Sequence, residues 1–394
     1  MAIYIEGNKK IKNIFANVNG EKKSISSAWV NKDGVPTKVF QLNKINDEKA
    51  DPYDVAPSNE YRDWKCAFDN ENEIITLQQY NNTSATDVIV YANYEVNGKT
   101  YKTQLADHGY DNPYSANYMF YGKTNIKTIK FSDSVDTSNV TRMTRMFSGC
   151  SSLTSIDFGD GFDTSNVTSM AEMFRSCSCL TELDLTRFDT SNVTGMTQMF
   201  NNCSSLTNLD VSSFDTSNVT SMMNMFYSCS SLTNLDVSNF DTSKVTWMDC
   251  MFNGCSSLTN LDVSNFDTSK ATTMYNMFSN CSSLTNLDVS DFNTSKVTTM
   301  YGMFGSCTGL SELDLTSFDT SKVTDMRYMF SNCSALEILD LSSFDTRNVT
   351  KMDSMFRNDS NLQTIYVSRG KWSQANATTT NMFNGCGTSY VTYK

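Results

Sequence analysis

Apolar and polar positions follow one order that recurs every 26 or 27 residues over the C-terminal two-thirds of the chain. In the copy that begins at Leu206, the spacing L-x-x-L-x-L continues with Leu209 and Val211. Because side chains alternate between the two faces of a strand, Leu209 and Val211 should face inward while Asn208 and Asp210 face outward. The first part of each copy therefore predicts a short, half-buried strand.

The second part of each copy has a different apolar spacing. Phe214 begins the sequence Phe-Asp-Thr-Ser, whose short polar side chains are typical of turns and helix N-caps. Val219, Met222 and Met225 then follow at intervals of three, and a Phe comes directly after Met225. This spacing is typical of one face of a helix. We therefore expect a short helix in every copy, on the far side of the sheet.

Copies of this kind are expected to stack, because each can bury its apolar face only against its neighbours. The spacing predicts an α/β solenoid, a right-handed superhelix of the leucine-rich-repeat type with one parallel sheet face and a row of short helices. The first strand is expected at Ile126–Phe131, and further strands should begin at residues 153, 180, 206, 232, 258, 284, 310, 336 and 362. At ~4.8 Å per strand, such a sheet is roughly 45 Å long.

The signature F-D-T-S-x-V-T-x-M-x-x-M-F-x-x-C-x-x-L runs from Val135 to Phe356 with few lapses. It resembles the repeats of the BspA-like leucine-rich-repeat proteins of bacterial surfaces. Asp87–Thr103 and Asn125–Asp133 are similar to the N-terminal cap of that family. The resemblance implies an adhesion or recognition module, and it brings no shared catalytic residues.

Four regions are expected along the chain. Residues 1–41 contain two short units around Asn19-Gly20 and Asp33-Gly34, which predict tandem β-hairpins. These units resemble hairpin modules of phage and prophage tail-associated proteins, which would make residues 1–41 an attachment segment, able to join a virion or a homo-oligomer. Residues 42–59 are polar and aperiodic, as in a linker. Residues 60–125 predict a β-rich cap, and residues 126–394 the solenoid with about ten repeats.

The overall composition narrows the classes of partner and location. A formal net charge of −12 and an isoelectric point of about 4.6 argue against a nucleic-acid partner. No apolar run approaches 18 residues, so we expect no membrane insertion. The start of the chain shows no secretory signal peptide. We therefore expect synthesis and folding in the cytoplasm, followed by a place in a virion tail or at the cell surface.

One cysteine per repeat forms a column at an apolar position. Its members are Cys150, Cys177, Cys203, Cys229, Cys255, Cys281, Cys307, Cys333 and Cys386, with Asp359 in place of one of them. A cysteine at such a position is typical of a small buried hydrophobe. Although neighbouring copies would bring these thiols close together, a column gives no unique pairing, so we expect free thiols.

One aspartate per repeat forms a second column, which should face outward from the sheet. It comprises Asp157, Asp184, Asp210, Asp236, Asp262, Asp288, Asp314 and Asp340. Stacked like charges repel, so cations, neighbouring polar side chains or a ligand must relieve them. Calcium and a hydrogen-bonded or solvated column are both open explanations, and no resident metal or cofactor is predicted. The aspartate of Phe-Asp-Thr-Ser is most simply a turn residue.

The positions that vary between otherwise constant copies carry the functional prediction. In and around the M-x-x-M-F sequence the candidate ligand-binding residues are Tyr227, Trp247, Tyr275, Tyr301, Arg327 and Tyr328. Exposed Tyr, Trp and Arg side chains carry much of the energy of protein interfaces. Isolated surface aromatic residues are also ordinary, and that alternative stays open.

Enzymatic activity is not expected from this sequence. His108 is the only histidine, which excludes most histidine-based triads and metal sites, and no glycine-rich phosphate loop is present. We predict a non-catalytic recognition or adhesion protein, associated with a phage or prophage tail and binding a protein or glycan of a bacterial surface or the gut. The alternatives are a BspA-like bacterial surface adhesin and a purely structural spacer.

Overall fold

The computed structural model describes residues 15–18, 21–24, 27–32, 35–41, 55–56, 60–107 and 119–394. The chain divides into two compact units, Met1–Pro52 and Tyr53–Lys394. His108 and most of the expected linker at 42–59 lie outside the described residues. The four regions expected from the sequence stay predictions.

The first unit contains two antiparallel strand pairs. Strand β1 (Phe15–Val18) pairs with β2 (Glu21–Ser24), and β3 (Ser27–Lys32) pairs with β4 (Val35–Gln41). The glycines of the two expected turns lie between the paired strands and outside the described residues. Each Asn-Gly or Asp-Gly sequence is thus flanked by strands that pair with each other.

The second unit begins with a five-stranded sheet in the order β5-β9-β10-β7-β6. Its strands are β5 (Val55–Ala56), β6 (Trp64–Asp69), β7 (Ile74–Tyr80), β9 (Asn93–Val96) and β10 (Lys99–Leu105), and a 3-10 turn, Glu60–Asp63, precedes β6. Strand β8 (Asp87–Val90) pairs in parallel with β11 (Thr128–Phe131), which pairs with β12 (Ser155–Asp157). Through β8, the cap region supplies the neighbour that the first repeat needs on its exposed side.

The repeats form a β-solenoid of about 11 turns whose centre is a column of stacked phenylalanine rings. Phe200 and Phe226 lie 5.6 Å apart between ring centroids, and Phe226 and Phe252 lie 5.8 Å apart. In the middle copies these rings and the Met, Val, Cys and Leu positions are buried. Since every ring contacts the same ring in the next copy, the apolar core is continuous along the solenoid.

Parallel, in-register pairing between neighbouring copies appears as named strands at both ends of the solenoid. At the C-terminal end β13 (Ile338–Leu341), β14 (Thr364–Val367) and β15 (Thr392–Tyr393) form one sheet. Between the two ends, a single isolated bridge among the described residues, from Asn208 to Asn234, joins copies at this position, so the expected continuous sheet is interrupted.

The regular strands at the two ends of the solenoid also begin two residues later than predicted. β11, for example, starts at Thr128 where Ile126 was expected. The reason is the first leucine of the L-x-x-L-x-L spacing, which belongs to a turn. In a middle copy, the amide of Leu206 donates to the carbonyl of Cys203 at 3.2 Å.

The predicted row of short helices is wrong. Asn224 and Ser228 have positive φ angles of 56° and 55°, a left-handed conformation that interrupts any right-handed helix, and the same two positions recur in the other copies. The amide of Met225 donates to the carbonyl of Met222, three residues back, at 3.1 Å, while the next amide, of Phe226, donates to the carbonyl of Met251 at 2.9 Å. Successive tight turns therefore produce the apolar interval of three, and they alternate with hydrogen bonds to the next copy.

No helix among the described residues is long and apolar enough to cross a membrane.

Candidate ligand-binding surface

The variable residues lie on an outward-facing surface formed by the turns of successive copies, which we call the ledge. On this ledge the amide of Cys250 donates to the carbonyl of Tyr275 and the amide of Asn276 donates to the carbonyl of Tyr301, both at 2.8 Å. Each copy is thus fixed to the next at the same backbone position. Two residues before Tyr275, a second outward position forms bridges between copies, from Trp247 to Thr273.

Four of the six candidate residues meet in a single cluster. The ring of Tyr301 stacks on that of Tyr275, with centroids 4.8 Å apart and planes 15° from parallel. Tyr328 packs against Tyr301 at 5.4 Å with its plane tilted by 54°, and the guanidinium carbon of Arg327 lies 5.1 Å from the centroid of the Tyr301 ring. Tyr275 and Tyr328 are still 40% and 37% exposed. We call Tyr275, Tyr301, Arg327 and Tyr328 the aromatic ladder.

Arg327 is held in place by Asp325, two residues earlier on the second outward position. Its Nε donates to Oδ1 of Asp325 at 3.0 Å and its NH2 group donates to Oδ2 at 2.7 Å. Lys351 approaches the same carboxylate at 3.7 Å. The hydrogen bond that Asp325 accepts raises the pKa of Arg327, and burial raises the pKa of Tyr301. The ladder therefore presents a neutral phenol of Tyr301 beside a fixed cation.

Asp249 supports the other end of the aromatic ladder. Its Oδ1 accepts the hydroxyl of Thr273 at 2.6 Å and the amide of Tyr275 at 3.0 Å. Burial raises the pKa of Asp249, against the effect of these two hydrogen bonds. The carboxylate fixes the backbone of the first tyrosine, so both ends of the ladder are fixed by an aspartate of the same ledge.

The other two candidates do not join the cluster. Trp247 is 51% exposed, and among the described residues no aromatic ring contacts it. Tyr227 is partly buried, and its carbonyl accepts the amide of Asn202 at 2.7 Å. The sequence did not single out Asp325 or Asp249 as site residues, although an acidic residue two positions before Arg327 is a usable signal.

The outward aspartates are hydrogen-bonded within their own copies. Oδ1 of Asp262 accepts the amide of Ser264 at 3.0 Å and its hydroxyl at 2.7 Å. These bonds lower the pKa of Asp262, and the same pair recurs at Asp288 and Ser290. Within the part of the chain that the structure describes, no three His, Cys, Asp or Glu residues come together as a metal-binding group. The column is a series of turn caps.

The cysteine column is buried from Cys150 to Cys333 and partly buried at Cys386, and all of its thiols are free. The thiol of Cys229 donates to the carbonyl of Phe200 at 3.1 Å, and equivalent bonds recur along the column. Burial raises the pKa of Cys255 to about 12. These thiols therefore link one copy to the next and are poor nucleophiles. Cys179, outside the column, is exposed.

Comparison with known proteins gives a family match and several distant structural likenesses. The family model described as "Mycoplasma protein of unknown function, DUF285" matches residues 114–233, 205–313 and 282–390. No curated protein matches the sequence.

Similar solved structures are leucine-rich-repeat proteins. They include a leucine-rich cell surface protein from Faecalibacterium prausnitzii, 17% identical, which covers 84% of this chain and 93% of that one with a TM-score of 0.42. A leucine-rich repeat protein from Bacteroides ovatus is 16% identical and covers 82% of this chain and 91% of that one with a TM-score of 0.37. A leucine-rich repeat protein from T. pallidum is 16% identical, with 51% and 91% covered and a TM-score of 0.31. All three scores are below 0.5, and we base no functional conclusion on them.

Proposed function

The chain belongs to the family described as Mycoplasma protein of unknown function, DUF285, and for this member we propose a non-catalytic role in recognition or adhesion at a cell surface. The aromatic ladder is the proposed binding surface, and a protein or glycan outside the cell is its ligand. The observation that carries the proposal is that three tyrosines and an arginine of successive copies form one partly exposed cluster.

The cluster is already ordered before any ligand arrives. Stacking between Tyr275 and Tyr301 restricts both rings, and the hydrogen bonds that Arg327 donates to Asp325 restrict its guanidinium group. Ordering flexible side chains costs about 0.5–1.5 kcal/mol for each one that binding immobilises. A surface that is restricted in advance avoids much of this cost, which favours a role in binding.

The residues that other copies carry at the positions of the aromatic ladder support the same proposal. In most copies the positions of the ladder hold small or polar residues, such as Thr197 in the column of Tyr275 and Tyr301. The solenoid therefore has no structural need for tyrosine there. Large aromatic side chains that are partly exposed at such positions are best explained by a ligand.

A surface adhesin is favoured over a component of a phage tail. The repeat signature and the family match extend over most of the second unit. The resemblance to tail-associated hairpin modules covers about 30 residues of the first unit, and paired hairpins are common in many proteins. We therefore propose the surface adhesin, which was the alternative reading of the sequence.

The test is binding of the fluorescently labelled full chain to bacterial cells, epithelial cells and extracellular-matrix proteins. The key variant is Tyr275→Thr with Tyr301→Thr, because threonine already occupies this column at residue 197. Tyr390→Thr is the control, since Tyr390 is 68% exposed and lies outside the ladder. We expect saturable binding that the double variant weakens at least about tenfold, or about 1.4 kcal/mol, with the control unchanged.

Two results would contradict the proposal. Equal binding by the double variant would remove the ladder from the binding surface. The absence of saturable binding to every cell and protein tested would favour a structural spacer.

A further inference from the structure

A second column changes its residue type in the copies that carry the aromatic residues. The position before the valine of F-D-T-S-x-V-T is asparagine in five copies, namely Asn139, Asn166, Asn192, Asn218 and Asn348. In four successive copies it is lysine instead, namely Lys244, Lys270, Lys296 and Lys322. We call these four residues the lysine ladder. Trp247, Tyr275, Tyr301 and Arg327 follow them three or five residues later, in the same four copies.

The asparagines of this column have a structural role that lysine does not reproduce. The side-chain amide of Asn192 donates to the carbonyl of Ser165 at 2.7 Å, and Asn218 does the same to Ser191 at 2.8 Å. Each bond joins one copy to the one before it. Lys244 still reaches the preceding copy, where it donates to the side chain of Asn218, but among the described residues the other three lysines form no such bond. Lysine in successive copies also stacks like charges at about the strand spacing of 5 Å. A residue type that weakens the fold at one position indicates a functional role for that position.

The lysine ladder is exposed and unpaired among the described residues. Within the part of the chain that the structure describes, no carboxylate lies within ion-pair distance of its four ammonium groups, and Lys244 donates to Oδ1 of Asn218 at 2.8 Å. Some other basic residues of the solenoid have acidic partners, such as Lys130 with Asp157, Arg187 with Asp160, and Lys394 with Asp340. In a chain of net charge −12, four adjacent unpaired cations are unexpected.

The aspartates nearest to the lysine ladder accept hydrogen bonds within their own turns and attract the lysines only at longer range. Asp241 and Asp267 accept the amides of Ser243 and Ser269, at 2.9 Å and 2.8 Å. In the copy of Lys296, asparagine takes the place of this aspartate. The nearby acidic residues therefore reduce the positive potential of the ladder without forming ion pairs with it.

We infer that the lysine ladder and the aromatic ladder form one elongated site for a linear anionic polysaccharide that lies along the solenoid axis. The inference rests on the proposed function and names the class of its ligand. One lysine per copy, at constant spacing, matches a polymer whose carboxylate or sulfate groups also recur at regular intervals. The spacing is shorter than the Debye length of about 8 Å at physiological salt, so neighbouring lysines act together on the polymer.

The aromatic residues would contact different chemical groups of this ligand from those that the lysines contact. The exposed ring of Trp247 offers an apolar face to the C–H groups of a sugar. Tyr301 has Tyr275 and Arg327 against its ring, so the tyrosines contribute hydroxyl groups and ring edges to polar groups of the chain. The charges of an acidic protein surface are irregularly spaced, so fewer of them would lie opposite the regularly spaced lysines.

The test compares two variants of the full chain with the same loss of charge. The ladder variant carries Lys→Asn at 244, 270, 296 and 322, which restores the residue that the chain itself uses in this column. The control variant carries Lys127→Thr, Arg142→Ser, Arg357→Asn and Lys371→Asn, where the first three changes also introduce residues found in the same columns. Polygalacturonate, heparin, neutral dextran and poly-L-glutamate are the probes, at several salt concentrations.

We expect the unaltered chain to bind polygalacturonate or heparin and not dextran, with a Kd that rises steeply with salt. The ladder variant should raise that Kd by about tenfold or more and flatten its salt dependence, while the control variant changes it by less than about twofold. Equal losses in both variants, or no binding to either polysaccharide, would overturn the inference. Poly-L-glutamate bound as tightly as the polysaccharides would overturn the assignment to a glycan.

Cell binding by the same variants separates this inference from the proposed function. If the ladder variant binds cells normally while Tyr275→Thr with Tyr301→Thr does not, recognition by the aromatic ladder stands and the anionic polysaccharide is excluded. If both tyrosine changes are silent on cells and on polysaccharides, the proposed function itself fails.

Discussion

The ring of Tyr275 lies nearly parallel to the ring of Tyr301, 4.8 Å away between centroids, although the two residues are one full repeat apart. The stack exists only when neighbouring copies are docked. It therefore links the surface proposed to bind a ligand to the packing of the solenoid.

This relationship predicts a measurable coupling between the two tyrosines. Tyr275→Thr and Tyr301→Thr, made singly and together, should give free energies of unfolding that are not additive, with a coupling of about 0.5–1.5 kcal/mol. Denaturant unfolding followed by circular dichroism measures the cycle. Tyr275→Thr combined with Tyr390→Thr is the control, since no contact joins those two rings, and its effects should add. Additive effects for both pairs would show that the stack contributes nothing to stability.

The sequence was sufficient for the architecture because the periodicity of the core is itself the cause of the stacking. Leu209 and Val211 are buried and Asp210 is exposed, as strand alternation predicts. The helix prediction failed because an apolar interval of three is common to helices and to successive tight turns. Asn202, Gly254 and Asn280 occupy the second left-handed position in their copies, and the preference of this column for asparagine, glycine and serine was a signal that went unused.

The sequence was sufficient to locate the residues of the candidate surface, but not to predict which of them contact one another. Tyr275, Tyr301 and Arg327 were indicated because they occupy positions that vary between otherwise constant copies. Their contacts depend on the backbone bonds between copies, such as Asn276 to the carbonyl of Tyr301, which are offset by 25 residues where the repeat has 26. The positions within the repeat do not show that offset, so the sequence also grouped Tyr227 with residues that it does not contact.

Substitution at a left-handed position tests the corrected backbone. Asn224 has a φ of 56°, and its column contains glycine at 302. Asn224→Val should destabilise the chain by about 1–2 kcal/mol, because a β-branched residue is strained in this conformation. Asn224→Gly should have little effect on the free energy of unfolding. Were this segment helical, the order would reverse, since glycine is the poorer helix former by roughly 0.5 kcal/mol.

Thiol reactivity tests the burial of the cysteine column. In the native chain Cys179 should react quickly with a thiol reagent because it is exposed, and the partly buried Cys66 and Cys386 should react more slowly. The column from Cys150 to Cys333 should react only on unfolding. Burial raises the pKa of Cys203 and Cys307 to about 12, so few thiolates are present at neutral pH. Cys179→Ser should remove the fast phase measured by absorbance. A fast phase of several thiols in that variant would contradict a closed core.

Asp359, which interrupts the cysteine column, should make the stability of the C-terminal repeats depend on pH. Its side chain is buried, Oδ1 accepts the amide of Cys333 at 2.6 Å, and Oδ2 has no hydrogen-bond partner. Burial raises the pKa of this carboxyl to about 7 from an ordinary value of 3.8. The folded state therefore holds the proton more tightly, and folding is penalised progressively as the pH rises from about 4 to about 7.

Asp359→Cys, which restores the residue of the column, should accordingly stabilise the chain more at pH 8 than at pH 5, by roughly 2 kcal/mol. Thermal and denaturant unfolding at the two pH values measure the difference. Asp262→Asn is the matched control: its pKa is lowered by the bonds from Ser264, so its contribution is lost only in acid, near or below its ordinary pKa, and should be nearly equal at pH 5 and pH 8. A benefit of Asp359→Cys that did not grow with pH would mean that the carboxyl is already ionised at pH 5, and that water or a cation reaches it inside the solenoid.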